Sequence, residues 1–433
     1  MTEHLVVYSL RQHPLRSTVR DHLYSFRRYG RARYTYLNIG VRKVPRWIRD
    51  ARFDAVIYHT SFLAQRWDPD RFRLEVARAE PLRGIGRYAI AMPQDEFLGA
   101  EMVSHFVRDF EVDHVFSVSP RSEWSKIYPD IDRGAVRFSE VLTGYLDDDT
   151  VARIDRIAAG RPDRSVDVGY RASPGRYWLG RHGMLKEELA RVFARAAADR
   201  DLRLDISNRY EDVLSGDDWF AFLASCRYTL GVEGGASVLD RTGEIKEATE
   251  RYLRAHPDAG FEEVERHCFP GRDGELALAA ISPRHLEACA TRTCQILIEG
   301  SYSGVLRPGE HYIELRRDLG NLDEVLDAAS SEELREEITQ RAYEDIVASG
   351  RWSYRVLVEK TEAAVPPGTA GDGGRGRAVI AAATDRAWWV PIAVESRTLP
   401  VVLRLERWSW GRRLLDRLRR RRRRAFRAAD GGD

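Results

Sequence analysis

The sequence predicts an α/β chain of two tandem Rossmann-like units with a deep cleft between them, followed by a basic C-terminal tail. Three observations predict it. Short β-branched and aromatic runs alternate with amphipathic helical patterns along most of the chain, the signature of parallel sheets covered by helices. The alternation pauses once, at TGYLDDDT from Thr143, and then begins again. Finally, 433 residues are long for one core and comfortable for two.

In the first half the expected strands are Leu5–Leu10, Tyr34–Ile39, Asp54–His59, Arg87–Met92, His114–Val118 and Val136–Val141. Amphipathic stretches such as Leu15–Tyr29 and Gly99–Phe110 lie between them, giving the strand-helix order of a doubly wound sheet. A helix over Asp148–Ala159 then runs into Gly160-Arg161-Pro162-Asp163, where Gly and Pro mark a boundary. The second half repeats the pattern with strands Val166–Tyr170, Arg203–Ile206, Tyr228–Val232, Leu276–Ile281, Cys294–Ile298 and Tyr312–Leu315. Its expected helices are His182–Ala198, Asp217–Ala224, Glu244–His256, Pro283–Cys289 and Ser331–Ser349. The resulting division is 1–160 for a first unit and 161–364 for a second. A Gly/Pro-rich linker over 365–378 and a Trp/Arg-rich tail over 379–433 follow.

Composition excludes several classes. No uncharged apolar run is long enough for a spanning helix, and the N-terminus MTEHLVVYSL reads as a first strand and not as a signal peptide. Cys226, Cys268, Cys289 and Cys294 show neither disulfide nor zinc spacing and suit buried thiols in a reducing cytoplasm. Asp147-Asp148-Asp149 precedes a helix and reads as capping, so no metal site is expected. The net charge of +2 is uneven: Arg404–Arg427 holds 12 arginines against two acids, a local +10 that leaves −8 for the rest. With Leu414, Leu415, Leu418 and Phe426 beside it, that run fits a basic amphipathic helix on an anionic membrane surface, or a solvated tail. Its tryptophans, Trp408 and Trp410, cluster away from the consecutive arginines Arg419–Arg424, which argues against nucleic acid. With 5 lysines to 64 arginines the chain is arginine-biased throughout, so no single arginine carries meaning by its identity alone.

The informative region begins at Ala279. An apolar strand ends at Ile281, Ser282 is a favourable N-cap, and Pro283 suits the first helical position. A helix start just beyond a strand's carboxyl end offers free N–H groups and a positive partial charge to a diphosphate. Glu287, one turn in, can accept from two adjacent ribose hydroxyls; read blandly, it is a carboxylate favoured by the helix dipole. In the first half, His59 ends a strand at its carboxyl edge, and Gln94, Asp95 and Glu96 end another. They are candidates for acceptor contact or proton transfer, with His59 and Glu96 as the catalytic pair; the alternative is a structural histidine and a helix cap.

Residues 282–315, SPRHLEACATRTCQILIEGSYSGVLRPGEHYIEL, resemble the donor-site segment of the retaining GT-B glycosyltransferases that build surface polysaccharides. The resemblance implies Glu287 as ribose ligand, with Ser282, Pro283 and Arg284 beside the phosphates and Tyr302, Ser303 and Gly304 in the donor-site turn. GVEGGASVLDRTGEI adds Glu233, Gly234 and Gly235, and VDVGYRASPGRYWLGRHGMLKEE places Arg171 and Lys186 where that family holds phosphates. Two positions depart from the pattern: Ala279 stands where an acid is frequent, and Arg292-Thr293 replaces a usual Gly-Thr. The implied activity is metal-independent transfer of a sugar from a nucleotide diphosphate sugar, a co-substrate with no further cofactor, to a glycan or lipid-linked acceptor. The implied place is the cytoplasm, peripherally on the inner membrane face. The contrasting expectation is a non-catalytic nucleotide-sugar or glycan-binding protein of the same fold.

Overall fold

A computed structural model describes residues 2–11, 15–41, 43–160, 163–196, 200 and 202–367. From residue 368 on, the expected linker and the tail lie outside the described residues. Among the described residues no helix is long and apolar enough to cross a membrane.

The strands are β1 Glu3–Tyr8, β2 Arg33–Asn38, β3 Ala55–Tyr58, β4 Ala89–Ala91, β5 His114–Ser117, β6 Arg137–Glu140, β7 Val166–Arg171, β8 Leu204–Ser207, β9 Cys226–Gly231, β10 Gly234–Ala236, β11 Leu278–Ala280, β12 Cys294–Ile298 and β13 Ile313–Leu315. The first six form one sheet in the order β2-β1-β3-β4-β5-β6, parallel throughout. A second parallel sheet has the order β13-β12-β9-β7-β8. Counted within its own unit, each sheet therefore runs 2-1-3-4-5, and the first adds a sixth strand. The expected pair of Rossmann-like units is present, and each has one point where the strand order reverses: β1/β3 in the first, β7/β9 in the second.

Both faces of the first sheet are covered, which is why its strands are apolar without alternation. Leu5, Val7, Val56 and Tyr58 enter one buried cluster, while Val6, Tyr8, Ala55 and Ile57 enter another. Three cysteines are buried free thiols, and Cys268 is half-buried.

Three segments cross between the units. The helix Asp148–Ala159 buries Ile154 with Trp219, Phe220 and Leu223 of the second unit. The helix Tyr354–Ala364 buries Tyr354, Leu357 and Val358 with Val6, Leu23 and Phe26 of the first. Glu362 on that helix accepts from Arg31 N at 2.8 Å, Ala32 N at 2.9 Å and Tyr34 OH at 2.7 Å.

The third segment is an excursion over 237–277, which carries helices Glu244–Ala255 and Phe261–Cys268. Its Val238, Leu239, Val264, Phe269 and Leu276 share one buried cluster with Phe97, Leu98 and Phe106 of the first unit. Backbone bonds stitch it there: Asp240 N to Phe97 O and Gly99 N to Asp240 O, both at 2.8 Å, and Glu101 N to Arg241 O at 3.1 Å.

Two expectations for elements change. The apolar run Leu276–Ile281 does not join the second sheet; its central residues form β11, antiparallel to β10, which the sequence offers only as a glycine turn. The close approach explains it. Gly235 has φ +144°, and a Cβ there would collide with the Leu278 carbonyl oxygen, so only glycine closes this ladder. The expected helix Ser331–Ser349 is an α-helix over Glu332–Ala342 that passes into a π-helical turn over Tyr343–Ala348.

Candidate functional site

Strands of parallel sheets deliver their following loops to the carboxyl edge, so a cavity is expected where the strand order reverses. One lies at β7/β9, with a volume of about 590 Å³, closed on its other side by Arg16, Ser17 and Thr18 of the first unit. It is lined by Arg171 at the end of β7, by Gly231 at the end of β9 and Val232 and Gly234 beyond it, by Lys186, and by Ser282, Pro283, Arg284 and Glu287.

The helix Pro283–Ala290 starts as its sequence dictates. Ser282 is extended, Pro283 occupies the first helical position, and His285 Nδ1 accepts the Ser282 N–H at 3.1 Å. That bond fixes the His285 proton on Nε2, and burial pushes its pKa down to about 3.

Glu287 is buried, and its Oε2 accepts the Trp219 indole N–H at 2.8 Å. No other partner is present for this carboxylate among the described residues. Burial raises its pKa, opposed by the Trp219 bond and Arg284. Arg284 stacks on the Trp219 ring at 4.8 Å from its centroid and donates to the Arg171 carbonyl at 2.6 Å.

Lys186, on the helix Arg181–Ala196, has no hydrogen-bond or ion-pair partner among the described residues. Burial and the neighbouring Arg284 lower its pKa, while Asp95 raises it. Arg16 adds a third cation, close enough to depress Arg284 in turn. Three cations without a carboxylate partner within ion-pair distance thus face one carboxylate in the cavity wall.

The remaining residues singled out from sequence are placed differently. The Arg171 guanidinium serves β8: it donates to Asp205 Oδ1 at 2.6 Å and the Asp205 carbonyl at 2.8 Å, and it stacks on Phe222. Glu233 lies outside the wall and accepts from Ser301 N at 3.1 Å and Ser301 Oγ at 3.2 Å. Tyr302 is fully buried, with its hydroxyl donating to Ile298 O at 2.6 Å. Ser303 Oγ accepts from Ile281 N at 3.3 Å, and Gly235 and Gly304 have positive φ. The 299–304 turn therefore fixes the residue before Ser282 and does not line the cavity.

The two expected proton carriers are also interior groups. His59 is fully buried, and its Nδ1 accepts the Ser61 N–H at 3.1 Å. The ring proton is therefore on Nε2, 2.8 Å from His22 Nδ1. Burial holds His59 well below its ordinary pKa and His22 at about 4, so the pair is neutral. Glu96 accepts from Ser117 Oγ at 2.7 Å, Tyr128 OH at 2.7 Å, Val118 N at 2.9 Å, Ser119 N at 3.1 Å and Ser119 Oγ at 2.9 Å. Five donors saturate this fully buried carboxylate, which anchors the end of β5.

Its neighbour Asp95 differs in every respect. It has φ +52°, its side chain is exposed, and it has no hydrogen-bond or ion-pair partner among the described residues. Arg66 and Lys186 are the charged groups nearest in effect to its carboxylate. Arg66, itself buried, fixes the turn by donating to the carbonyls of Asp95 at 2.6 Å, Leu98 at 2.7 Å and Gln94. Gln94 Nε2 reaches the Thr143 carbonyl at 2.9 Å, and Thr143 Oγ1 reaches the Ile281 carbonyl at 2.5 Å, which ties this turn to the Ser282 helix start.

One group of metal-ligand type occurs among the described residues: Glu310, His311 and Asp345. The Arg307 guanidinium already pairs with Glu310 at 2.7 Å and Asp345 at 2.9 Å, so the group is an ion-pair network.

No family model and no curated protein matches the sequence. Among solved structures, the chain is similar to HepE of Anabaena in complex with UDP-glucose, at TM-score 0.48 and 9% identity over 84% of this chain and 100% of that one. It is also similar to AviGT4, a glycosyltransferase involved in avilamycin A biosynthesis, at TM-score 0.41 and 13% identity over 84% and 96%. A third is sucrose-phosphate synthase of Thermosynechococcus elongatus, at TM-score 0.44 and 8% identity over 84% and 98%.

Proposed function

We propose that this chain is a glycosyltransferase that takes a nucleotide diphosphate sugar into the cavity at β7/β9. One observation carries the reading. Lys186, Arg284 and Arg16 have no carboxylate partner within ion-pair distance and converge on a helix start, with Glu287 one turn further along the same wall. Such a site is complementary to a diphosphate beside a ribose: cations and N–H groups for the phosphates, a fixed carboxylate for the hydroxyls.

When the bond to the sugar breaks, charge develops on the departing diphosphate. Fixed cations in a sheltered cavity stabilise that charge more than they stabilise the ground state. Lys186 and Arg284 supply this, so the reaction as proposed needs neither a metal nor another cofactor. The acceptor approaches from the first unit; its proposed class is a glycan or lipid-linked sugar of surface polysaccharide. The basic Arg404–Arg427 run supports cytoplasmic work at an anionic membrane face.

The second reading, a nucleotide-sugar binder without turnover, is favoured by one residue. Ala279 sits in β11 opposite Gly235 and offers no carboxylate beside the cavity. Calorimetry and nucleotide release with UDP-, GDP- and dTDP-sugars separate the two. The transferase reading expects binding of one nucleotide class and release of its diphosphate. Binding without release in every donor and acceptor pairing sinks it and leaves the binder.

A further inference from the structure

The proposed phosphate and ribose ligands occupy one end of the cavity and leave the other end without an assigned occupant. Glu287 is bonded to Trp219, and Trp219 belongs to the helix Asp217–Ser225. The loop that leads into this helix also lines the cavity, through Val213, Leu214, Ser215 and Gly216. A nucleoside diphosphate that runs from the Ser282 helix start past Glu287 therefore carries its base toward this loop.

The chemistry of the wall changes along the way. Arg171 is already occupied by Asp205, so its charge is spent on β8. Beyond it stand uncharged groups: Tyr210, Val213 and Leu214. Cations at one end and a neutral, partly apolar wall at the other match an anion joined to a flat heterocycle.

Tyr210 is placed for contact. Leu74, Tyr210 and Val356 are the large apolar side chains left exposed among the described residues, and of these only Tyr210 lines the cavity. It is 55% exposed, its hydroxyl accepts from Arg176 Nη2 at 3.4 Å, and no aromatic ring or cation among the described residues covers its faces. The turn that carries it is fixed. Ser207 Oγ donates to Asp212 Oδ2 at 2.7 Å and accepts the Arg209 N–H at 3.2 Å, which ties both sides of Tyr210 to the end of β8. A fixed aromatic face at a cavity rim presents apolar surface that a flat ring removes from water, and every base has such a face.

We infer that Tyr210 is the platform on which the nucleobase of the donor stacks. This role rests on the cavity being a nucleotide site and holds whether the chain turns its donor over or only binds it. Affinity then divides into separable parts: the cations and the Ser282 helix start hold the diphosphate, Glu287 the ribose, and Tyr210 the base.

Calorimetric titration of the full chain with UDP, GDP, dTDP and the base-free ribose 5-diphosphate tests the division. For the tightest of the three nucleotides, Tyr210→Ala is expected to weaken binding by about 5- to 150-fold. Tyr210→Phe should stay within about twofold of wild type, and Tyr210→Leu, which keeps bulk without an aromatic face, should lose nearly as much as Tyr210→Ala. Ribose 5-diphosphate should bind wild type and Tyr210→Ala within about twofold of each other, a split that general loosening of the turn would not give. Nucleotide affinity within about twofold of wild type in Tyr210→Ala, a loss that ribose 5-diphosphate shares, or Tyr210→Leu as tight as Tyr210→Phe overturns the platform and leaves the nucleotide site standing. A wild-type chain that binds none of the four ligands overturns the site and the platform together.

Discussion

The indole N–H of Trp219 donates to Glu287 Oε2 at 2.8 Å, while the guanidinium of Arg284 lies on the face of the same ring. One aromatic side chain thereby orients both a proposed ribose ligand and a proposed phosphate ligand. Glu287→Ala is expected to weaken nucleoside diphosphate binding at least tenfold, about 1.4 kcal/mol. Trp219→Phe keeps an aromatic face and loses the N–H, and should fall between wild type and Glu287→Ala. Calorimetric titration decides; an unchanged affinity in Glu287→Ala ends the ribose assignment.

Glu96→Ala should separate structure from chemistry. It strips five donors of their acceptor, three of them side-chain hydroxyls on Ser117, Ser119 and Tyr128. Urea unfolding is expected to show a loss of about 3 kcal/mol or more, with nucleotide affinity kept in the folded fraction. A fully stable variant would show that the donors find other acceptors.

Gly235→Ala tests the β10–β11 ladder. The added methyl meets the Leu278 carbonyl oxygen, and φ +144° is unfavourable for any side chain. A destabilisation of at least about 3 kcal/mol is expected by denaturant titration. A loss under about 1 kcal/mol contradicts the described register.

The His22–His59 pair sets a pH dependence of stability. Folded His22 has a pKa of about 4, against an ordinary 6.5. Between those values the unfolded chain binds more protons, so this stability is present above about pH 6.5 and is lost as pH falls toward 4. Inside the window the slope is about 1.4 kcal/mol per pH unit. In His22→Gln the stability difference between pH 7 and pH 5 should differ from wild type by about 2 kcal/mol, in the sense of less acid loss. Parallel profiles for the two proteins remove the account.

Local features were legible in the sequence, and features set by distant partners were not. Ser282-Pro283 marks a helix start by capping chemistry alone, and Asp148–Ala159 is bounded as its caps dictate. The apolar run Leu276–Ile281 reads as a strand, but nothing within it tells which strand it pairs with; that depends on Gly235, over 40 residues upstream. Similarly, His59 is interior because its partner His22 comes from another element. Asp95 and Glu96 are neighbours in one loop, and periodicity is silent there. The left-handed turn held by Arg66 decides which carboxylate points inward. Arg171 and Lys186 look equally suited to phosphate until Asp205 is seen to occupy the arginine.

The excursion over 237–277 and the helix Tyr354–Ala364 complete the cores of the first unit. Synthesis runs from the N-terminus, so the ribosome delivers residues 3–140 long before the segments that cover them. The nascent first unit must wait with an exposed apolar flank until residue 278 has emerged, and with a second until residue 364 has. Its folding is therefore coupled to the translation of nearly the whole described chain.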